Sequence, residues 1–271
     1  MDKKISVIMA TYNCEKTVRK AIDSILSQTY TKWIMIICDD GSTDGTPEIL
    51  EGYAQKYPER FLILRNEENK KLPYSLNHCL RYVETELVAR MDGDDWSIPE
   101  RLQMQVDYLT AHPGVDLVGT GVSVWNGERK IASIVKTPVP TKESMLRSNA
   151  FSHATIMTYK RVYDALGGYD EDPAVLRVED VDLWCRFLAA GFHGYNLPDE
   201  LYAILEDDNA AKRRTFRARL NSAKTRNRGY RLMGFRGWVC VKPYLIVLKA
   251  FVPTGIYRKV HAWKLNHSDR T

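Results

Sequence analysis

The feature that most constrains this chain is an alternation of two apolar rhythms over its first 112 residues. Lys4–Ala10 carries a short apolar run of the kind that forms a buried strand. Glu15–Gln28 then sets Val18, Ala21, Ile22, Ile25 and Leu26 at helical spacing. Trp33–Cys38 returns to the strand rhythm, and a helix starts at Thr46-Pro47-Glu48, where Pro47 suits a first turn. Phe61–Leu64 and Leu87–Met91 read as further strands, separated by a helical stretch at Pro73–Tyr82. Pro99–Ala111 reads as a helix closed by His112-Pro113-Gly114. Strands that alternate with helices predict a mainly parallel, Rossmann-like α/β sheet with helices on both faces.

Ligands of such sheets gather beyond the carboxyl ends of the strands. The polar clusters obey that rule. Thr11-Tyr12-Asn13 follows the first strand, Asp39-Asp40-Gly41-Ser42 the second, and Asp92-Gly93-Asp94-Asp95 the fourth. After Val115–Trp125 the rhythm changes. Asn126-Gly127 is a hairpin signal, and residues 128 to about 160 read as strand-rich and irregular. Glu179–Ala190 is a short helix with Val181, Trp184, Phe187 and Leu188 on one stripe, and from about Asp208 the chain reads as basic helices.

A length of 271 residues suffices for one large α/β domain with an appendage. Apolar residues at 44% and charged ones at 27% indicate neither disorder nor a membrane-embedded class. The five cysteines are an odd number without a Cys-x-x-Cys pair, which argues against a disulfide framework or zinc site and fits a reducing cytoplasm. The run after Asp2, Lys3 and Lys4 is too short and wrongly flanked for a signal peptide. Charge is unevenly placed: the segment from Asp207 onward has sixteen Lys and Arg against three Asp, a net +13, while the rest of the chain carries −8. An acidic body with a basic tail implies an anionic partner for the tail.

Three carboxylates crowded at the end of an apolar strand repel one another unless something positive sits among them. A hard divalent cation with oxygen ligands is the natural solution, and it could also neutralise a departing diphosphate. A solvated acidic turn capping the next helix is the ordinary alternative.

The wider context resembles the family 2 glycosyltransferases. Five elements carry the resemblance in order: Ser6–Asn13, Ile25–Tyr30, Asp39–Thr46, Ser75-Leu76-Asn77, and Arg90–Trp96 with Pro99–Leu102 and Gln105. The likeness runs from about residue 4 to about residue 206 and implies a GT-A fold of the bacterial cell-surface polysaccharide type. It divides residues 1–206 into a nucleotide-sugar-binding half (1–112) and an acceptor half (113–206), followed by a basic amphipathic extension (207–271). It implies that Ala10, Thr11, Tyr12, Asp40, Asp92 and Gly93 bind the nucleotide sugar, with Tyr12 stacking on the base and Asp40 accepting from its NH. It implies Asp94 as leading ligand of Mn²⁺ or Mg²⁺, with Asp92 near the ribose or metal, and Asp95 as the least secure member. Where the family usually has a Gly, in Asn69-Lys70-Lys71-Leu72-Pro73, this chain has Lys71. Either the loop path differs there or the lysine reaches toward the base or phosphates.

Displacement at an anomeric carbon needs a base for the acceptor hydroxyl proton, placed opposite the leaving group. Glu179-Asp180 resembles the Glu-Asp motif of inverting members, which implies Asp180 as base; a plain helix cap is the alternative. Gly167-Gly168-Tyr169-Asp170 also matches, which implies Gly168, Glu179 and the nearby His153 as acceptor contacts, a structural histidine being the other reading of His153. Members often continue to a Tyr-Arg pair; here Leu201–Glu206 contains no Arg, and Lys212, Arg213 or Arg214 could substitute.

The tail interleaves aromatic, apolar and basic residues through Tyr257-Arg258-Lys259 and Trp263-Lys264, and Trp238–Val252 is too short and charged to span a bilayer. That mix suits a peripheral element on the inner membrane face and a lipid-linked saccharide acceptor. The alternatives are an appendage packed on the body or on a second copy of the chain. No nucleic-acid recognition motif accompanies the charge. Two other functions remain at this point: a haloacid-dehalogenase-type phosphotransferase, which also uses Asp-x-Asp, and a non-catalytic nucleotide-sugar-binding module.

Overall fold

The structure, a computed structural model, describes residues 3–206 and 216–248, the side chains of 246 and 248 excepted. Four strands open the sheet: β1 (Ile5–Thr11), β2 (Trp33–Asp39), β3 (Phe61–Arg65) and β4 (Leu87–Asp92). They pair in parallel in the order β3-β2-β1-β4, and β1 is buried along almost its whole length, as its unbroken apolar run requires. The crossovers are α1 (Val18–Leu26), α2 (Thr46–Lys56) and α3 (Leu72–Leu80). α1 buries Val18, Ala21, Ile22 and Ile25, the stripe its periodicity predicts. It begins at Val18 rather than Glu15 because the preceding residues bond sideways: Cys14 N–H donates to Thr46 Oγ1 (2.8 Å) and Glu15 N–H to Asp44 Oδ2 (3.1 Å).

Beyond β4 come β5 (Trp96–Ser97), α4 (Arg101–Ala111), β6 (Leu117–Trp125), β7 (Lys130–Ile134), α5 (Lys142–Met145), β8 (Met157–Tyr159), α6 (Lys160–Leu166), α7 (Glu179–Ala189) and β9 (Gly194–Leu205). The sheet continues β4-β8-β6-β9-β5, with β7 as a hairpin partner of β6 across Asn126-Gly127. The parallel order ends there. β8 runs antiparallel to both β4 and β6, whereas β6 and β9 are parallel, so the second half of the sheet is mixed. Residues 128–160 hold less strand than the sequence predicts, since Thr141 instead caps α5 in a reciprocal capping box with Ser144.

The chain ends, among described residues, in α8 (Phe216–Leu232), α9 (Trp238–Val241) and α10 (Leu245–Leu248). α8 is not a solvated basic rod. It buries Ala223, Thr225, Gly229 and Tyr230, and Arg228 bridges to Asp170 (2.7 Å) and Asp182 (2.5 Å). The described part of the basic extension is therefore an appendage packed on the body. No described helix is long and apolar enough to cross a membrane. Lys212, Arg213, Arg214 and the aromatic-basic stretch at Tyr257–Lys264 lie outside the described residues.

Candidate active site

The centre of the site follows from strand register. Ala10 of β1 lies beside Asp92 of β4, and Thr11 lies beside Asp39 of β2, so Asp40 and Asp92 flank the Ala10-Thr11 step. Tyr12, just past β1, is 46% exposed, a ring free to stack, while Thr11 is buried with its Oγ1 unpartnered among the described residues. The Gly93 carbonyl accepts from Thr17 Oγ1 (2.9 Å), which ties the acidic turn to the start of α1.

Asp40 is buried and organises the loop that carries the departure from the family pattern. Its Oδ1 accepts from Asn66 Nδ2 (2.7 Å) and the Lys70 N–H (2.8 Å), and its Oδ2 from the Lys71 N–H (2.9 Å). Asn66 Nδ2 also donates to Ser75 Oγ (2.9 Å). Lys71 itself sits at φ 77°, ψ 162°, a backbone conformation almost reserved for glycine. The loop thus keeps a glycine path with a lysine on it, held by the Asp40 carboxylate, and the Lys71 side chain is exposed.

The acidic cluster is tight. Asp92, Asp94 and Asp95 each offer a carboxylate oxygen, and these oxygens lie within 4.8 Å of one another. Burial, then the charges of Asp92 and Asp94, push the Asp95 carboxyl well above the usual carboxylate range. An all-oxygen donor set under mutual repulsion fits a hard divalent cation. Below it lies a buried cationic floor. Arg90, 2% exposed, donates from Nη2 to Asp92 Oδ1 (2.5 Å). Arg101, wholly buried, donates to the Arg90 carbonyl (2.5 Å) and Ser97 Oγ (2.7 Å), and burial brings its pKa down to about 10. Tyr202 Oη accepts from the Asp92 N–H (3.0 Å), so β9 fixes the backbone of the cluster.

The opposite wall comes from the first turn of α7. A cleft of about 460 Å³ is lined on one side by Asp92, Asp94 and Asp95 and on the other by His153, Arg177, Glu179 and Asp180. Asp180 Oδ2 accepts from Asn149 Nδ2 (3.0 Å), and Asn149 Oδ1 accepts from Arg226 Nη2 (2.9 Å) on α8. Burial raises the Asp180 pKa, while Arg226 and Arg90 act in the opposite direction. Glu179 is raised by burial too, and its Oε2 is buried with no partner among the described residues. His153 contacts Tyr169 Oη (2.9 Å) and stacks edge-on to Trp184; burial, then Arg90, holds it far below its ordinary value, so it is neutral at pH 7. It lines the cleft as a packed, satisfied histidine.

Gly168 does not reach this cleft. It turns the chain at φ +72°, and a Cβ there would lie 2.5 Å from Asn77 Oδ1. Asn77 holds that turn through the Tyr169 N–H (2.8 Å) and Tyr169 carbonyl (2.9 Å). Its glycine is required by close packing on α3, which is a sufficient account of it. Sequence reasoning overlooked Arg90, Asn149, Arg177 and Arg226 as site residues. A charge inside the apolar strand Leu87–Met91 was a readable signal for Arg90. Nothing local marks Asn149 and Arg226, which meet across 77 residues of sequence.

Comparison with known proteins gives the class. The model of the family described as Glycosyl transferase family 2 matches residues 6–163. The chain is 40% identical over 262 residues to EpsE of Bacillus subtilis (strain 168), named as a glycosyltransferase, covering 95% of this chain and 93% of that one. It is 33% identical over 187 residues to the O-antigen biosynthesis glycosyltransferase WbnJ of Escherichia coli, covering 68% and 71%. Among solved structures, S. aureus TarS 1–349 in complex with UDP-GlcNAc superimposes with a TM-score of 0.70 at 18% identity, over 91% of this chain and 71% of that one, a likeness of fold. The chain belongs to glycosyl transferase family 2 and is a glycosyltransferase of GT-A-type fold. Family membership sets aside the phosphotransferase and the non-catalytic module.

Proposed function

We propose that the chain is an inverting, divalent-metal-dependent transferase that moves a sugar from a UDP-sugar to a hydroxyl of a lipid-linked saccharide, at the cytoplasmic membrane face, during surface polysaccharide assembly. One observation carries this reading: the Asp92–Asp95 cluster and Asp180 face each other across a single cleft. The names of relatives support its parts. WbnJ is named for O-antigen biosynthesis, and WfgD of Escherichia coli, 34% identical over 108 residues, is named as a UDP-Glc:alpha-D-GlcNAc-diphosphoundecaprenol glucosyltransferase. The mannosyltransferase PcManGT was solved with GDP-Man and Mn²⁺.

In this mechanism residues 1–112 hold the donor. Ala10, Thr11, Tyr12, Asp40 and Gly93 surround the nucleotide, and Asp94 with Asp92 would hold Mn²⁺ or Mg²⁺, which would supply positive charge against the departing diphosphate. Residues 113–206 hold the acceptor, with Glu179 and His153 walling its side of the cleft. Asp180 takes the proton from the attacking hydroxyl on the face opposite the diphosphate, which inverts the anomeric centre. Its buried, raised carboxylate is a stronger base than an exposed aspartate, and Asn149 aims it. The described part of the extension serves the site too, since Arg226 orients Asn149.

The test separates the two walls. Asp180→Asn keeps Mn²⁺-dependent UDP-sugar binding and loses transfer by about 10²–10⁴-fold, the usual share of a general base. Asp94→Ala instead weakens metal-dependent donor binding. Transfer at the normal rate by Asp180→Asn removes the base assignment. Thermal stabilisation by a panel of nucleotide sugars with Mn²⁺ identifies the donor.

A further inference from the structure

A second cavity, of about 360 Å³, opens between the residues that follow α5, the inner face of α8 and the α9–α10 segment. Its volume falls in the range of roughly 300–1,000 Å³ that small-molecule sites occupy. Its wall is mostly apolar, with Leu146, Val239 and Leu245 among its members, and three cations face it: Arg147, Arg226 and Lys242. Among the described residues no carboxylate lines it, and neither Arg147 nor Lys242 forms an ion pair. The Nε of Arg226 is buried without a partner among the described residues. Apolar surface continues outward at Trp238, Val241 and Leu245, all at least 45% exposed. A greasy pocket with the Arg226 guanidinium on its wall and two cations, Arg147 and Lys242, that form no ion pair among the described residues is complementary to one chemistry, a phosphate carrying a hydrocarbon chain.

We propose that this pocket binds the phosphate and adjoining hydrocarbon of a lipid-linked acceptor. The proposal rests on the reading of the chain as a transferase to a saccharide acceptor. Its position gives it a purpose in that reaction. Arg226 lines the pocket and donates to Asn149, which donates to Asp180, so one side chain separates the lipid phosphate from the residue that orients the base. A saccharide anchored by its phosphate here extends toward the cleft holding Asp180.

Isothermal titration of the full chain with farnesyl phosphate, farnesol and inorganic phosphate tests the site. Farnesyl phosphate binds, and the other two bind at least roughly tenfold more weakly, because each supplies only one of the two contacts. Charge reversal of the exposed Arg147 and Lys242 together (Arg147→Glu, Lys242→Glu) weakens farnesyl phosphate binding by about tenfold or more, one charge-assisted contact being of that size. Donor binding with Mn²⁺ and the melting temperature stay as in the parent chain. Farnesol binding as tightly as its phosphate, inorganic phosphate binding as tightly, unchanged affinity in the double variant, or no binding at all each overturns the proposal. The two readings fail separately. Charge-dependent farnesyl phosphate binding by a chain that transfers no sugar keeps the site and removes the transferase mechanism. Transfer to a saccharide without such binding does the reverse.

Discussion

The dependence of the Asp180 wall, the proposed base-bearing side of the cleft, on α8 can be tested at one atom. Gly229 packs so closely on α7 that a Cβ there would lie 2.4 Å from Cys185 Sγ and 2.6 Å from Cys185 Cβ. Gly229→Ala sets two effects against each other. Alanine in place of glycine favours an exposed helix by about 1 kcal/mol. Overpacking a tight interface costs about 1–3 kcal/mol. Cysteine cannot move its Cβ without moving α7, so the second effect wins. The expected net loss is about 1 kcal/mol, or about 2–4 °C in melting temperature for a domain of this size. Activity falls further than stability. Arg226 lies three residues from Gly229, hence on the same face of α8, and its 2.9 Å bond to Asn149 cannot survive a shift of about 1 Å intact. Misplacement of that order costs up to about 10²-fold in rate. Steady-state kinetics with the identified donor should show kcat reduced by about tenfold or more, with donor KM unchanged. Adding Cys185→Ala removes the Sγ conflict but leaves a Cβ in place, so the double variant recovers only part of the loss. A Gly229→Ala enzyme with parental melting temperature and kcat would show that α8 does not brace Asp180.

Three further outcomes follow from individual groups. Lys71→Gly relieves a backbone strain of about 1–3 kcal/mol against an entropic penalty of about 0.5–1 kcal/mol, so chemical denaturation should show a net stabilisation, and a loss of more than about 1 kcal/mol would refute the glycine-like path. Glu179 has a folded pKa above its unfolded value of 4.5, so its charge destabilises the fold at neutral pH and ceases to do so as pH falls below 4.5. Glu179→Gln should therefore raise stability at pH 7, with the difference vanishing near pH 4; a gain that persists at pH 4 contradicts this cause. In the proposed mechanism Asp180 acts as an ionised base, so kcat/KM should fall as pH drops through its raised value, and Arg226→Met, which removes a charge that lowers it, should move that acidic limb to higher pH. An unmoved limb would mean that a different group titrates.

How much of this was readable in advance depended on whether the cause was local. The strand ends at Thr11, Asp40 and Asp92 were legible because apolar runs place the sheet, and its register then aligns the three. The departure at Lys71 was visible as a residue change, but its left-handed backbone was not, since the Asp40 carboxylate that holds it lies 31 residues away. Gly168 and His153 matched a pattern whose structural duties, against Asn77 and Tyr169, only packing reveals.

The basic tail is the sharpest case, because charge count alone sends it to solvent or membrane. Close packing at Gly229 and the Arg228 bridges instead turn part of that charge inward, toward Asn149 and Asp182. Arg90 does the same from the core. It pairs with Asp92 at 2.5 Å and also bears on Glu179, Asp180 and His153. One buried guanidinium therefore faces both walls of the cleft, the one proposed to hold the metal and the one proposed to carry the base. Substitution of Arg90 by an uncharged residue of similar length should disturb both donor binding and the Asp180 titration, whereas loss of Asp94 should disturb only the first.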